Sequence, residues 1–122
     1  MRVFKTKWFA RYARKERIAD SPLREAAARA ERGLIDADLG GGLIKQRIGR
    51  PGQGRSGGYR TLLAFRREDR AIFVFAFAKS ELDNIQDDQL RVLKELGQEW
   101  LDANALTLEM AIADGSLVEI GI

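Results

Sequence analysis

The sequence predicts an α+β domain: a small, mainly antiparallel sheet with a helical hairpin at its N-terminal end and a helix at its C-terminal end. Three observations lead there. Leu43 to Ala78 holds three strand-like runs in succession, separated by a glycine-rich segment and by the turn Arg67-Glu-Asp-Arg70, and strands joined so closely pair antiparallel. The last run, Ala71 to Ala78, is apolar on both faces, as in a central, fully covered strand. On either side of these runs, apolar residues recur at helical spacing.

In chain order, Arg2 to Lys5 alternates apolar and basic residues and reads as an edge strand. From about Thr6 to Arg17, Trp8, Phe9, Tyr12 and Ala13 fall at helical spacing among Lys7, Arg11, Arg14 and Lys15, and core packing is the favoured reading of the aromatics. Ser21-Pro22 opens a second helix, with Ser as N-cap and Pro at the first helical position. Its buried stripe is Leu23, Ala26, Ala27 and Ala30, and Gly33 ends it. The two helices read as a hairpin crossing at small residues. Asp38 to Gly42 is a turn. From Leu43 to Ile48 the chain alternates, with Ile44, Gln46 and Ile48 on one face and Leu43, Lys45 and Arg47 on the other. Tyr59 to Arg67 is the next strand. Gln86 to Asn104 is a long helix that opens on Asp87 and Asp88, where the macrodipole favours acid. Its apolar side is Leu90, Leu93, Leu96, Gly97, Trp100 and Leu101. Leu106 to Ala113 has helical character, and Leu117 to Ile122 is either a last strand or a loose end.

At 122 residues the chain suits one domain with a real core. Its 45% hydrophobic and 32% charged content belongs to a globular protein. Cys and His are both absent, which excludes disulfide and thiolate chemistry and argues against a zinc site or an imidazole base. Nothing near the N-terminus has the apolar core of a signal peptide, and no stretch is apolar enough to span a bilayer. The expectation is a cytoplasmic protein without membrane attachment, metal or cofactor.

Charge is distributed unevenly. Residues 1–67 hold 17 Lys/Arg against 6 Asp/Glu, and residues 68–122 hold 4 against 12. Lys45, Arg47, Arg50, Arg55 and Arg60 fall in one carboxylate-free stretch with Pro51 and five glycines, Gly49, Gly52, Gly54, Gly57 and Gly58. Such a composition speaks against a helix interior or an unbroken strand. Arginine forks match phosphate oxygens, and glycine lets backbone approach a ligand, so a basic, glycine-rich loop between strands reads as a phosphate or nucleic-acid contact surface. Lys45 and Arg47, two residues apart on a strand, project the same way.

The motifs Lys45-x-Arg47, Gly52-x-Gly54-Arg55-x-Gly57-Gly58-x-Arg60, Leu62-Leu-Ala-Phe65 and Phe77-Ala-Lys79-Ser-Glu81, followed by Asp83-Asn84-Ile85, carry a family resemblance. With the order strand, helix, helix, three strands, helix, the chain resembles the RelE/ParE toxins of bacterial type II toxin–antitoxin systems, and most closely the HigB-like branch of RelE. The resemblance covers residues 1–104 as a RelE-like domain and leaves 105–122 as a C-terminal extension. It implies a metal-independent endoribonuclease that cuts mRNA, usually on the ribosome, by attack of a ribose 2′-OH on the adjacent phosphate. It also implies a helix-turn-helix antitoxin of the HigA kind as partner, with ribosome and mRNA as targets. Lys45, Arg47, Arg60 and Lys79 match the family's basic catalytic positions. Arg47 and Arg60 would meet transition-state charge, and Lys79 the phosphate or leaving group. Arg50 and Arg55 would position RNA. Tyr59 would stack on a base or pack as a strand aromatic.

The chain departs from the family pattern in having no His, and no Tyr beyond Tyr59. The base is therefore a lysine among neighbouring cations (Lys45 or Lys79), Glu81, or a ribosomal group, and a salt bridge is the favoured role for Glu81. Two other functions fit the same fold: a ParE-like DNA gyrase inhibitor, and an RNA-binding module without catalysis.

Overall fold

The computed structural model describes residues 1–50, 54–79 and 85–121, with the side chains of Arg50 and residues 54–57 outside that description. In chain order the elements are β1 (Arg2–Thr6), α1 (Lys7–Glu16), α2 (Asp20–Glu31), β2 (Ala37–Gly40), β3 (Leu43–Arg50), β4 (Gly54–Arg66), β5 (Arg70–Ala78), α3 (Asp87–Asp102), α4 (Ala105–Asp114) and β6 (Leu117–Glu119). The strands form one sheet in the order β2-β3-β4-β5-β1-β6. Only the β1–β5 pair among them is parallel.

Helices cover both faces, which makes two cores. On one side Phe9 and Ala13 of α1 and Leu23, Ala26, Ala27 and Ala30 of α2 bury Ile44, Ile48, Leu63 and Phe73. On the other, Leu101 of α3 with Leu108 and Ala111 of α4 bury Leu43, Leu62, Ala64 and Ile72. β5 lies between β4 and β1 and is buried along most of its length, as its two-sided apolar sequence requires.

The α+β class and the mostly antiparallel sheet agree with the sequence, but the N-terminal arrangement does not. A strand comes first, as expected, but the two helices lie on different strands, α1 on β5 and α2 on β3. The alanines of α2 share a buried cluster with Ile44 and Ile48. They serve close packing on the sheet rather than a helix crossing.

Several local expectations shift as well. β1 is not an edge strand, because the three-residue β6 pairs with its outer side from Phe4 to Thr6. Asp38 to Gly40 is strand rather than turn, with Asp38 opposite Ile44 and Gly40 opposite Leu43 of β3. Ser21 does not cap α2, which starts at Asp20 after Ala19. Pro22 is tolerated there because the first-turn N–H groups have no intrahelical acceptor, and Asp20 accepts from Lys5 Nζ at 2.8 Å. The basic, glycine-rich stretch is largely strand: β3 runs to Arg50 and β4 begins at Gly54. The register breaks between Ile48 and Arg50, so Gly49 sits where the ladder is interrupted and a residue without Cβ is tolerated.

Two glycines set helix α3 against the sheet. Gly42 has φ +81°, its carbonyl accepts from Phe65 N, and a Cβ there would lie 2.8 Å from Leu101 Cδ1. A Cβ on Gly97 would lie 3.1 Å from Ala64 Cβ, so that turn of α3 rests almost on the backbone of β4.

Among the described residues, no helix is long and apolar enough to cross a membrane. Leu108 and Ala111 of α4 and Leu117 of β6 belong to the same core cluster as Leu43 and Leu62. Arg2 joins β1 to this segment through Glu109 and Glu119 at 3.0 and 2.8 Å.

Candidate functional site

Strand alternation builds the site. β3 and β4 turn Ile44, Gln46, Ile48, Tyr59, Thr61 and Leu63 toward α1 and α2, and the intervening residues toward the α3 side. On that second face Leu43, Leu62 and Ala64 are buried with Leu101. Farther along the same strands the residues become Lys45, Arg47 and Arg60, so one face is apolar at one end and basic at the other. Lys45 opposes Leu62, Arg47 opposes Arg60, and Arg60 in turn opposes Phe77 of β5.

The Arg47–Arg60 pairing is the most informative feature. Like charges directly opposite on adjacent strands destabilise a sheet, with Cβ atoms on the order of 5 Å apart. A sequence that places two guanidiniums there breaks a local stability rule, and such breaks concentrate at functional sites. Part of the cost is offset at the edge. Arg47 Nη2 lies 3.6 Å from Asp36 Oδ1, and the Arg47 N–H donates to Asp36 Oδ2 at 2.7 Å. Burial alone would raise the Asp36 pKa. The Arg47 N–H and the charges of Arg47 and Arg29 outweigh it and hold the carboxyl below the usual aspartate value. The Arg47 side chain remains 46% exposed.

Behind this edge lies a polar lock. Arg29 keeps only 6% of its side chain exposed. Its Nε donates to both Glu25 oxygens at 3.0 Å, its Nη1 reaches Asp36 at 3.5 Å, and its Nη2 donates to the Arg47 carbonyl at 2.7 Å. Gln46 is fully buried with each amide atom used: Nε2 donates to the carbonyls of Ala26 and Leu34, and Oε1 accepts from Asp36 N. Thr61 Oγ1 donates to the Gln46 carbonyl at 2.7 Å. Buried polar groups satisfied to this degree fix a strand in one register, and the strand they fix is the one that carries Lys45 and Arg47.

The remaining predicted residues divide. Lys79 is exposed just beyond β5, its N–H directed at the Gly58 carbonyl at 3.4 Å, so it stands at the same end of the sheet as Arg60. Tyr59 is 3% exposed, lies on the opposite face, and donates its hydroxyl to Glu16 at 2.9 Å. Arg50 and Arg55 have strand backbone, and their side chains, like all of Glu81, Asp83 and Asn84, lie outside the described residues.

Sequence reasoning missed Asp36, Arg29 and the part played by Gln46. Arg29 did leave a signal, a cation set between Ala26 and Ala30 on the apolar side of α2. For Asp36 there was none, because its proximity to Arg47 arises only when β2 pairs with β3.

A six-stranded sheet with helices on both faces and a basic end on one of them is the frame in which the family comparison falls. A family model described as the RelE toxin of the RelE / RelB toxin–antitoxin system matches residues 1–120. The chain belongs to the RelE toxin family. No curated protein matches it. As a RelE toxin it acts within a toxin–antitoxin system and has an antitoxin partner. The RelE match reaches through α4 and β6, beyond the 104 residues over which the motifs carried the resemblance.

Proposed function

We propose that this RelE toxin is an endoribonuclease of the HigB-like branch, cutting mRNA on the ribosome in the cytoplasm without a metal ion and so stopping translation. The observation that carries the reading is the cross-strand Arg47–Arg60 pair on the basic end of the sheet. In the reaction a ribose 2′-O bonds to the adjacent phosphorus, the P–O5′ bond breaks, and charge accumulates on the non-bridging oxygens. Two fixed guanidiniums beside that phosphate stabilise this charge and cannot lose it by titration. Lys45 and Lys79 flank the pair along and across the strands, and Lys79 is our choice to protonate the departing 5′-oxygen. The proton from the 2′-OH goes to Lys45, Glu81 or a ribosomal group. Asp36 is a poor base, since Arg47 and Arg29 both hold it ionised and occupied.

Arg50 and Arg55 retain their proposed part in positioning RNA, and Tyr59, facing the other core, is left out. The antitoxin in this reading is a helix-turn-helix protein of the HigA kind. Primer extension on cellular mRNA after induction tests the proposal. Wild type produces new 5′ ends within translated frames, and Arg60→Ala produces none at equal expression. A ParE-like gyrase inhibitor or a non-catalytic RNA-binding module would produce no such ends from either chain.

A further inference from the structure

Beside the basic face runs a column of aromatic rings that the reaction leaves unused. Phe77, the cross-strand partner of Arg60, lies 6.3 Å ring to ring from Phe75. Phe75 stacks on Trp8 at 4.8 Å and 24°, and Trp8 on Tyr12 at 5.3 Å and 11°. Local structure explains the alignment. Trp8 and Tyr12 are one helical turn apart on α1. The register of β5 slips by one residue between the partners of Leu62 and Leu63, so Val74 and Phe75 fall on the same side. Tyr12 meets Tyr59 edge-on at 6.1 Å, and the Tyr59 hydroxyl bonds Glu16 of α1, which fixes the inner end of the column.

The middle of the column is open to solvent. Phe9 and Ala13 take the core side of α1, whereas Trp8, one position off that stripe, is 45% exposed. Core packing thus holds for Phe9 and only in part for Trp8. Trp8, Arg11, Tyr12 and Lys15 line a cleft of about 330 Å³. Arg11 and Lys15 are both exposed, with Lys7 and Arg14 beside them on the same helix. A flank of stacked rings next to two cations suits a flat ring joined to an anion, which is a nucleotide. The column connects that cleft to Arg60 in short ring-to-ring steps.

We propose that this cleft on α1 holds a further nucleotide of the RNA strand whose scissile phosphate lies on the Arg47–Arg60 face. The base packs on the exposed flank of Trp8 and Tyr12, and its phosphate lies between Arg11 and Lys15. This rests on the ribonuclease reading above and extends it to a second contact outside the sheet.

The test uses a Trp100→Phe background, in which Trp8 is the sole tryptophan. The ligand is a 2′-O-methyl oligoadenylate, which has no 2′-OH to attack and so stays intact. Trp8 emission is expected to quench in step with binding measured by anisotropy of labelled RNA. Trp8→Leu should weaken binding by up to about five-fold, since packing on a ring flank is at most the lower end of base–aromatic stacking. Arg11→Gln with Lys15→Gln should weaken it too and flatten the salt dependence by roughly 0.7 in log–log slope, the share of one phosphate. Because this double variant leaves the stacked rings in place, it decides the matter should Trp8→Leu fail to fold. If wild type cleaves mRNA and binds the oligonucleotide with Trp8 emission unmoved and the double variant unaffected, the cleft proposal is wrong and the sheet site stands. Wild type that neither binds nor cleaves RNA removes both, and quenching of Trp8 by a protein partner alone also overturns the nucleotide assignment.

Discussion

Replacing Arg29 with Met tests whether the basic edge is held from behind. The perturbation keeps the aliphatic stem, so the cavity left is small. It removes the donor to the Arg47 carbonyl at 2.7 Å, a charged bond from a side chain only 6% exposed, together with the 3.5 Å contact to Asp36. A hydrogen bond to a charged group is worth about 1.5–3 kcal/mol. The pair with Glu25 adds only a few tenths, since that carboxylate is 55% exposed. Leaving the Arg47 carbonyl and a part-buried Asp36 short of a partner brings the expected loss to about 2–4 kcal/mol. With an m-value of about 2 kcal/mol per molar urea, the midpoint falls by about 1–2 M. Equilibrium unfolding in urea at neutral pH reads this directly. Arg29→Lys should fall in between, because one ammonium cannot reach three acceptors in the guanidinium's planar fork. A drop below about 0.25 M, roughly 0.5 kcal/mol, would show that Arg29 does not hold the strand and refute the locked-edge account.

Three further outcomes follow from the same geometry. Gly42→Ala should cost about 2–4 kcal/mol, from the positive φ and the crowding of Leu101, and a thermal melt that moves by less than a degree would contradict it. Asp36 titrates below its ordinary value in the folded chain. Its contribution is therefore complete above the unfolded aspartate pKa and lost as pH falls through the folded value. The stability gap between wild type and Asp36→Asn, about 1 kcal/mol at pH 6, should shrink by pH 3, and a gap constant with pH would count against the pairing with Arg47. Affinity for ribosomes or single-stranded RNA should fall steeply with salt, with a slope of about −0.7 for each phosphate neutralised. A flat dependence would point to a protein target instead.

What the sequence disclosed follows from which forces are local. Period-two alternation placed Lys45 and Arg47 on one face and Gln46 on the other, and two-sided apolarity made Ala71–Ala78 a central strand. Both patterns survive because burial acts residue by residue. The Arg47–Arg60 opposition depends on register, set by the β3–β4 ladder and its break at Gly49, and neither strand carries it alone. Strand β6 was ambiguous because three residues have little periodicity, and its partner β1 lies more than 100 residues away in the chain. Ser21-Pro22 looked like a helix start, yet α2 begins two residues earlier, at Asp20 rather than Pro22, and Asp20 is paired with Lys5. A tertiary contact there outweighed a local capping preference. Trp8 and Tyr12 looked like core because helical spacing cannot separate a stripe from its neighbour one position away.

The central claim, that Arg47 and Arg60 form the phosphate site of a metal-free ribonuclease, is tested most directly by cleavage of a ribosome-bound mRNA with purified protein and analysis of the ends produced. Wild type should cut, leaving a 2′,3′-cyclic phosphate and a 5′-hydroxyl, and Arg60→Ala should lower kcat/KM by about 10²–10³-fold at unchanged thermal stability. Cleavage by Arg60→Ala at the wild-type rate, or wild-type ends carrying a 5′-phosphate and a 3′-hydroxyl, would contradict the account.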